Sequence, residues 1–151
     1  MFLLDANVLI YAFRRDSPHH APCHEWLGAA LAGGEPVATT SLVELALLRI
    51  STLPSLGSAA ATPGDVFRFL DAVRAQPVAL RIEPGERHPR LFAALCEALR
   101  LRGNDVNDAF LAALAIEYDA TLVSADRGFA RFPGLKVVDP LADTSPAGTE
   151  P

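Results

Sequence analysis

Phe2-Leu3-Leu4-Asp5-Ala6-Asn7-Val8-Leu9-Ile10-Tyr11-Ala12 opens the chain, and its reading decides the fold. Three apolar residues end on a carboxylate, and the run from Val8 to Ala12 continues without polar relief. That pattern is a short buried strand feeding a helix. A strand with no polar face belongs in a parallel sheet covered on both sides.

The same alternation continues downstream. Ser17-Pro18 followed by His19 to Leu31 predicts a helix with Ser17 as N-cap and Gly33-Gly34 marking its end; Pro22 should delay its regular part by a turn. Pro36-Val37-Ala38-Thr39 predicts a brief strand, and Thr40 or Ser41 caps a helix through Arg49. Pro54 to Thr62 reads as a loop, and Thr62-Pro63-Gly64-Asp65 opens a helix to about Ala75. A strand over Val78 to Ile82 precedes a helix from Pro89 to Arg102 that Gly103 ends. A helix from about Val106 to Tyr118, a strand Thr121-Leu122-Val123, a helical turn near Arg127 to Phe132 and a strand Leu135 to Val138 complete the series. There is no internal repeat. Strands alternating with helices predict an α/β fold with helices on both faces of a short central parallel sheet. In such sheets ligands sit beyond the carboxyl ends of the strands. Asp5 and Ser124-Ala125-Asp126 each follow a strand, so both should emerge at one edge.

Composition bounds the rest. At 151 residues, half of them apolar and 21% charged, the chain suits one folded domain. Residues 1–141 are expected to form it, with 142–151, rich in Thr, Ser, Pro and Gly, as a disordered tail. The longest uncharged stretch, Ile50 to Gly64, contains Pro54, Gly57 and Pro63, and no run approaches the roughly 20 apolar residues that cross a bilayer. Met1-Phe2-Leu3-Leu4-Asp5 lacks the basic start of a secretory signal, so a cytoplasmic protein is expected. Cys23 and Cys96 are isolated and read as reduced thiols rather than a disulfide.

Four carboxylates interrupt or abut apolar segments: Asp5, Glu44, Asp108 and Asp126. Burying an unpaired carboxylate is costly. Lys is nearly absent, and the nearest Arg residues are too few to pair all four. A shared hard cation, Mg²⁺ or Mn²⁺, would resolve the conflict. Each acid also has a plainer reading. Asp5 suits a helix N-cap. Glu44, three residues after Ser41, suits a capping box. Asp105 and Asp108 suit a helix dipole, and Asp126 suits a cap on the turn that follows it. Taken together they suit metal-assisted attack on a phosphodiester, whose developing charge needs a cation. The net charge of −5 opposes nucleic-acid binding only if it is spread over the surface; a cation among clustered acids reverses the local sign. Twelve of the thirteen basic residues are Arg, which grips phosphate bidentately. No Ser-His-Asp or Cys-His arrangement and no glycine-rich phosphate loop is present. His20 and His24 stand four apart without a following His-Glu motif and read as a solvated helix face; His88 is alone.

The opening Leu4-Asp5-Ala6-Asn7-Val8-Leu9-Ile10-Tyr11-Ala12, the segment Ser41-Leu42-Val43-Glu44-Leu45, and the blocks Val106-Asn107-Asp108-Ala109-Phe110-Leu111 and Leu122-Val123-Ser124-Ala125-Asp126-Arg127-Gly128-Phe129 resemble a PIN domain, and more narrowly the VapC toxins of bacterial toxin–antitoxin pairs. The likeness spans about residues 1–140. It implies a metal-dependent endoribonuclease, a homodimer and neutralisation by a VapB-type antitoxin. Position by position, it implies Asp5, Glu44, Asp108 and Asp126 as metal-holding catalytic acids, with Ser124 as the polar companion before Asp126 and Asn7 supporting Asp5. Asp105 has no firm place in the pattern and is read as a supporting charge. Arg14, Arg15, Arg49 and Arg127, near these segments, are candidates for RNA backbone contact. Two other classes compete: a catalytically silent RNA- or protein-binding module of the same fold, and a phosphatase with Asp5 as nucleophile. The second usually has another acid two residues on, where this chain has Asn7.

Overall fold

The computed structural model describes residues 1–142; the expected tail, apart from Ala142, lies outside them. Five three-residue strands, β1 (Phe2–Leu4), β2 (Val37–Thr39), β3 (Ala79–Arg81), β4 (Thr121–Val123) and β5 (Lys136–Val138), form one sheet in the order β3-β2-β1-β4-β5. Every pairing is parallel. Leu3, Leu4, Val37, Ala38, Leu122 and Val123 are essentially sealed from solvent, which is why these segments carry no polar alternation. The edge strands β3 and β5 are the exposed ones, and only they include Arg81 and Lys136.

Six helices flank the sheet: α1 (Ala6–Phe13), α2 (His20–Ala32), α3 (Ser41–Ser51), α4 (Pro63–Arg74), α5 (His88–Ala98) and α6 (Asp105–Glu117). α1 packs on α2 and α3, α3 on α4, and α5 on α6. Short 3₁₀ turns cover Pro54–Ala59, where a loop was expected, and Arg127–Arg131. α4 begins as its sequence predicts: the Thr62 hydroxyl accepts from the Asp65 N–H at 3.2 Å, and the Asp65 carboxylate accepts from the Thr62 N–H at 3.1 Å.

Three local expectations are corrected. α2 is capped by His19 rather than Ser17, whose hydroxyl instead accepts from the His19 N–H at 3.1 Å. Pro22 does not delay it, because first-turn N–H groups have no partner inside a helix. α5 stops at Ala98, short of Gly103. Arg100 takes a left-handed φ of 51°, the Leu101 N–H reaches the Cys96 carbonyl at 3.0 Å and the Arg100 N–H reaches that of Glu97 at 3.2 Å. This is a Schellman stop made without glycine. The third concerns α3. Its N-cap is Thr40, which places Glu44 one residue beyond the capping-box position. The cap comes from far along the chain, where the Glu83 carboxylate accepts from the Ser41 N–H at 2.9 Å and the Thr40 hydroxyl at 3.3 Å.

Candidate metal centre at the carboxyl edge of the sheet

Strand order reverses at β1. The chain steps from β1 to β2 and β3 on one side, then crosses to β4 and β5 on the other. The crevice beyond the ends of β1 and β4 is therefore the switch point of the sheet. The register sets Leu4 beside Val123, so Asp5 and Ser124 leave adjacent strands at the same level, as their sequence positions predict.

Asp5 caps α1, accepting from the Ala6 N–H at 2.6 Å, and its second oxygen accepts from the Ser124 hydroxyl at 2.7 Å. Ser124, 1% exposed, is the hub of a network. Its oxygen accepts from Asn7 Nδ2 at 3.2 Å and from the Asp126 N–H at 3.0 Å. Asn7 Oδ1 in turn accepts from the Ala125 N–H at 3.3 Å. Asn7 thus ties the loop after β4 to the first turn of α1. Asp126 caps the turn that follows it, accepting from the Gly128 N–H at 2.7 Å. For Asp5 and Asp126 the capping reading is met: Asp5 accepts through both oxygens, and Asp126 caps through one.

Burial pushes the Asp5 carboxyl up to about 6; the Ser124 and Ala6 hydrogen bonds oppose this, and the charges of Asp108 and Asp126 add to the rise. Asp108, in the first turn of α6, is raised by burial and by Asp126 and Asp105, against the opposing pull of Arg131. Three acids, Asp5, Asp108 and Asp126, therefore repel one another at one edge. A hard cation with oxygen ligands is the chemistry that relieves such crowding, so this donor set fits a divalent ion. Among the described residues no three His, Cys, Asp or Glu side chains are gathered tightly enough to hold an ion as they stand.

Glu44 is not brought to that cluster. Buried on α3, its carboxylate accepts from the Thr39 hydroxyl at 2.8 Å and from Arg74 at 2.5 Å. Arginine is thus less scarce than the sequence suggested. Arg74, from α4, pairs Glu44, and Arg131 pairs Asp108 at 2.8 Å and Asp105 at 3.3 Å. Neither arginine was singled out in the sequence.

The PIN-domain family model matches residues 2–135. The chain belongs to the PIN-domain family. Ribonuclease VapC31 of Mycobacterium tuberculosis is 39% identical over 140 residues, covering 93% of this chain and 99% of that protein. The VapC ribonuclease Mb2897 of Mycobacterium bovis is 40% identical over 141 residues, covering 93% and 96%. This PIN domain is therefore one of the VapC ribonuclease group. VapBC2 from Rickettsia felis, solved bound to a DNA fragment from its promoter, shares the fold at a TM-score of 0.68 and 23% identity over 91% of this chain and 96% of that one. VapBC-1 of nontypeable Haemophilus influenzae matches at 0.68 and 16%, over 93% and 98%.

The PIN domain distributes its candidate arginines unevenly. Arg49 lines a cleft of about 300 Å³ with Asp5, Leu42, Leu45, Asn107 and Asp108. Arg127 follows Asp126 on the exposed turn. Arg14 is spent on Asp16 at 2.5 Å and is only 11% exposed, while Arg15 lines a separate cleft with Phe13, His20, His24 and Phe69. The His20 and His24 rings stack on the helix face with centroids 5.1 Å apart. His88 is a core residue, its Nε2 2.9 Å from the Phe110 carbonyl. Both cysteines are free, and burial pushes the Cys23 thiol up to about 11. No helix among the described residues is long and apolar enough to cross a membrane.

Proposed function

We propose that this chain is a Mg²⁺- or Mn²⁺-dependent endoribonuclease, the toxin of a toxin–antitoxin pair, with the ion held by Asp5, Asp108 and Asp126. The observation that carries the reading is the convergence of these three acids at the switch point of the sheet, where burial first, and the charges of Asp108 and Asp126 after it, raise Asp5 to about 6, in a chain of the VapC ribonuclease group. PIN-domain ribonucleases are in general dependent on divalent metal ions. A bound divalent ion supplies charge neutralisation on the phosphodiester and makes water a competent nucleophile near neutral pH.

The chain's own residues supply placement. Ser124 and the Ala6 N–H fix the Asp5 oxygens, and Asn7 fixes Ser124. Arg49, beside Asp5 and Asp108, is positioned to take a phosphate of the RNA. Arg127 serves the same backbone beside Asp126, whereas Arg14 is paired with Asp16 and Arg15 lines the separate cleft of His20 and His24. Glu44 joins the ligand set only if it exchanges Arg74 and Thr39 for the ion. The reading carries with it a VapB-type antitoxin and a homodimer.

The test is RNA cleavage by purified protein free of antitoxin, with Mg²⁺ or Mn²⁺ and again with chelator, alongside Asp5→Asn and Asp108→Asn. Cleavage that needs the ion and both acids supports the reading. Cleavage that survives chelator, or is unchanged in the variants, refutes it. Growth arrest on expression should be relieved by the same substitutions; equal toxicity would place the toxicity elsewhere.

A further inference from the structure

The Arg131 guanidinium donates to Asp108 at 2.8 Å and to Asp105 at 3.3 Å. It lies with its central carbon 5.1 Å from the centre of the Phe132 ring. Phe132 is 3% exposed and packs against Phe129 with centroids 5.8 Å apart. The two rings anchor the turn Arg127–Arg131 in the core, and a face of one supports the cation. Arg131 is thus presented to the start of α6 from a turn seated on two buried rings. Its position conflicts with the metal reading, because one carboxylate cannot serve a guanidinium and a divalent ion in full at once.

We propose that Arg131 is the resident counter-cation of the metal-free site, that a divalent ion displaces it from Asp108, and that Asp105 retains it after the exchange. The inference rests on the metal reading above. Charge decides the sequence of events. Without metal, Asp108 faces Asp105 and Asp126, and Arg131 offsets that repulsion. When a divalent ion takes Asp108, the guanidinium meets a like charge and has one neighbouring carboxylate left. Asp105, three residues earlier on the same helix, is about half exposed, so it can hold Arg131 without itself entering the crevice. This gives Asp105 a positioning role that neither a helix dipole nor a ligand position describes. Arg131 then sets the ion concentration at which the site fills.

The test is Mn²⁺ binding to the full chain, stripped with chelator and dialysed, measured by calorimetry and by the electron paramagnetic resonance of free Mn²⁺, without RNA. Arg131→Gln should bind Mn²⁺ about fivefold more tightly, the factor expected from releasing a part-exposed ion pair. Asp105→Asn should weaken binding, because Arg131 then has no alternative to Asp108. In the double variant Arg131→Gln/Asp105→Asn the loss caused by Asp105→Asn should vanish. Arg131→Lys should fall between wild type and Gln. Thermal melts without metal identify any variant that misfolds, and Arg131→Lys then carries the test. Unchanged or weaker binding in Arg131→Gln overturns the exchange. A loss from Asp105→Asn that persists without Arg131 overturns the retaining role. A wild-type chain that binds no Mn²⁺ overturns the metal reading itself, a result distinct from both.

Discussion

Replacing Asp5 by Asn should stabilise the metal-free protein while abolishing its metal response. Asp5 ionises near 6 in the fold against an ordinary value of 3.8. A difference of about two units corresponds to about 3 kcal/mol at most. The sign follows from proton binding: between those two values the folded chain holds more protons on Asp5 than the unfolded chain, so stability falls as pH rises through the window. Above it the folded state carries the whole penalty of a buried anion beside Asp108 and Asp126. Asn removes the charge but offers one acceptor where the carboxylate accepts from both Ala6 and Ser124, a loss of about 1 kcal/mol. The net gain at pH 7.5 is about 2 kcal/mol, or a melting temperature higher by roughly 4–8 °C for a chain of this size. At pH 4 the wild-type carboxyl is largely protonated, and the advantage should disappear. The assay is urea and thermal unfolding in chelator from pH 4 to 8, repeated with Mn²⁺, which should raise the wild-type midpoint and leave Asp5→Asn unmoved. An Asn variant no more stable than wild type at pH 7.5, or equally stabilised at every pH, would refute the reasoning.

Ser124→Ala should lower metal affinity or cleavage by about 10- to 100-fold, the usual cost of removing a group that orients a ligand, with KM for RNA little changed. Arg49→Ala should do the reverse, raising KM with a smaller change in kcat and flattening the salt dependence of binding; steady-state kinetics at two salt concentrations separates the two. Glu44→Ala leaves Arg74 without its buried partner and should cost about 2 kcal/mol in urea unfolding, less than the 3–5 kcal/mol of a fully buried pair because Arg74 is 40% exposed. Glu44→Gln keeps the hydrogen-bonding shape and should recover much of that stability, so a cleavage defect in a stably folded Glu44→Gln would be the sign that Glu44 does reach the ion.

What could be read from the sequence divides along the distance over which each interaction acts. β1 and β4 were legible because a short, largely apolar run followed by a polar residue encodes strand and exit together, and parallel pairing of those strands sets Asp5 and Ser124 side by side. Asn7, two residues after Asp5, was named as its support from the family resemblance, and it reaches Asp5 through Ser124. Arg74, thirty residues from Glu44, and Glu83, forty-two from Ser41, were not, because nothing local marks which surface arginine or glutamate folds back onto a buried helix start. The end of α5 was missed for a different reason: glycine is the preferred residue for a left-handed stop, but the two Schellman hydrogen bonds make Arg100 affordable there. The same blindness to distant pairing shaped the reading of the acids. A scarcity of nearby arginines pointed to a shared cation for the four acids, whereas Glu44 and Asp108 already have guanidinium partners and Asp126 is exposed. Asp5 is left without a guanidinium: its oxygens meet only a hydroxyl and a backbone N–H, and its charge is opposed by Asp108 and Asp126. That is the carboxylate with most to gain from a cation, and the one from which the metal reading should be judged.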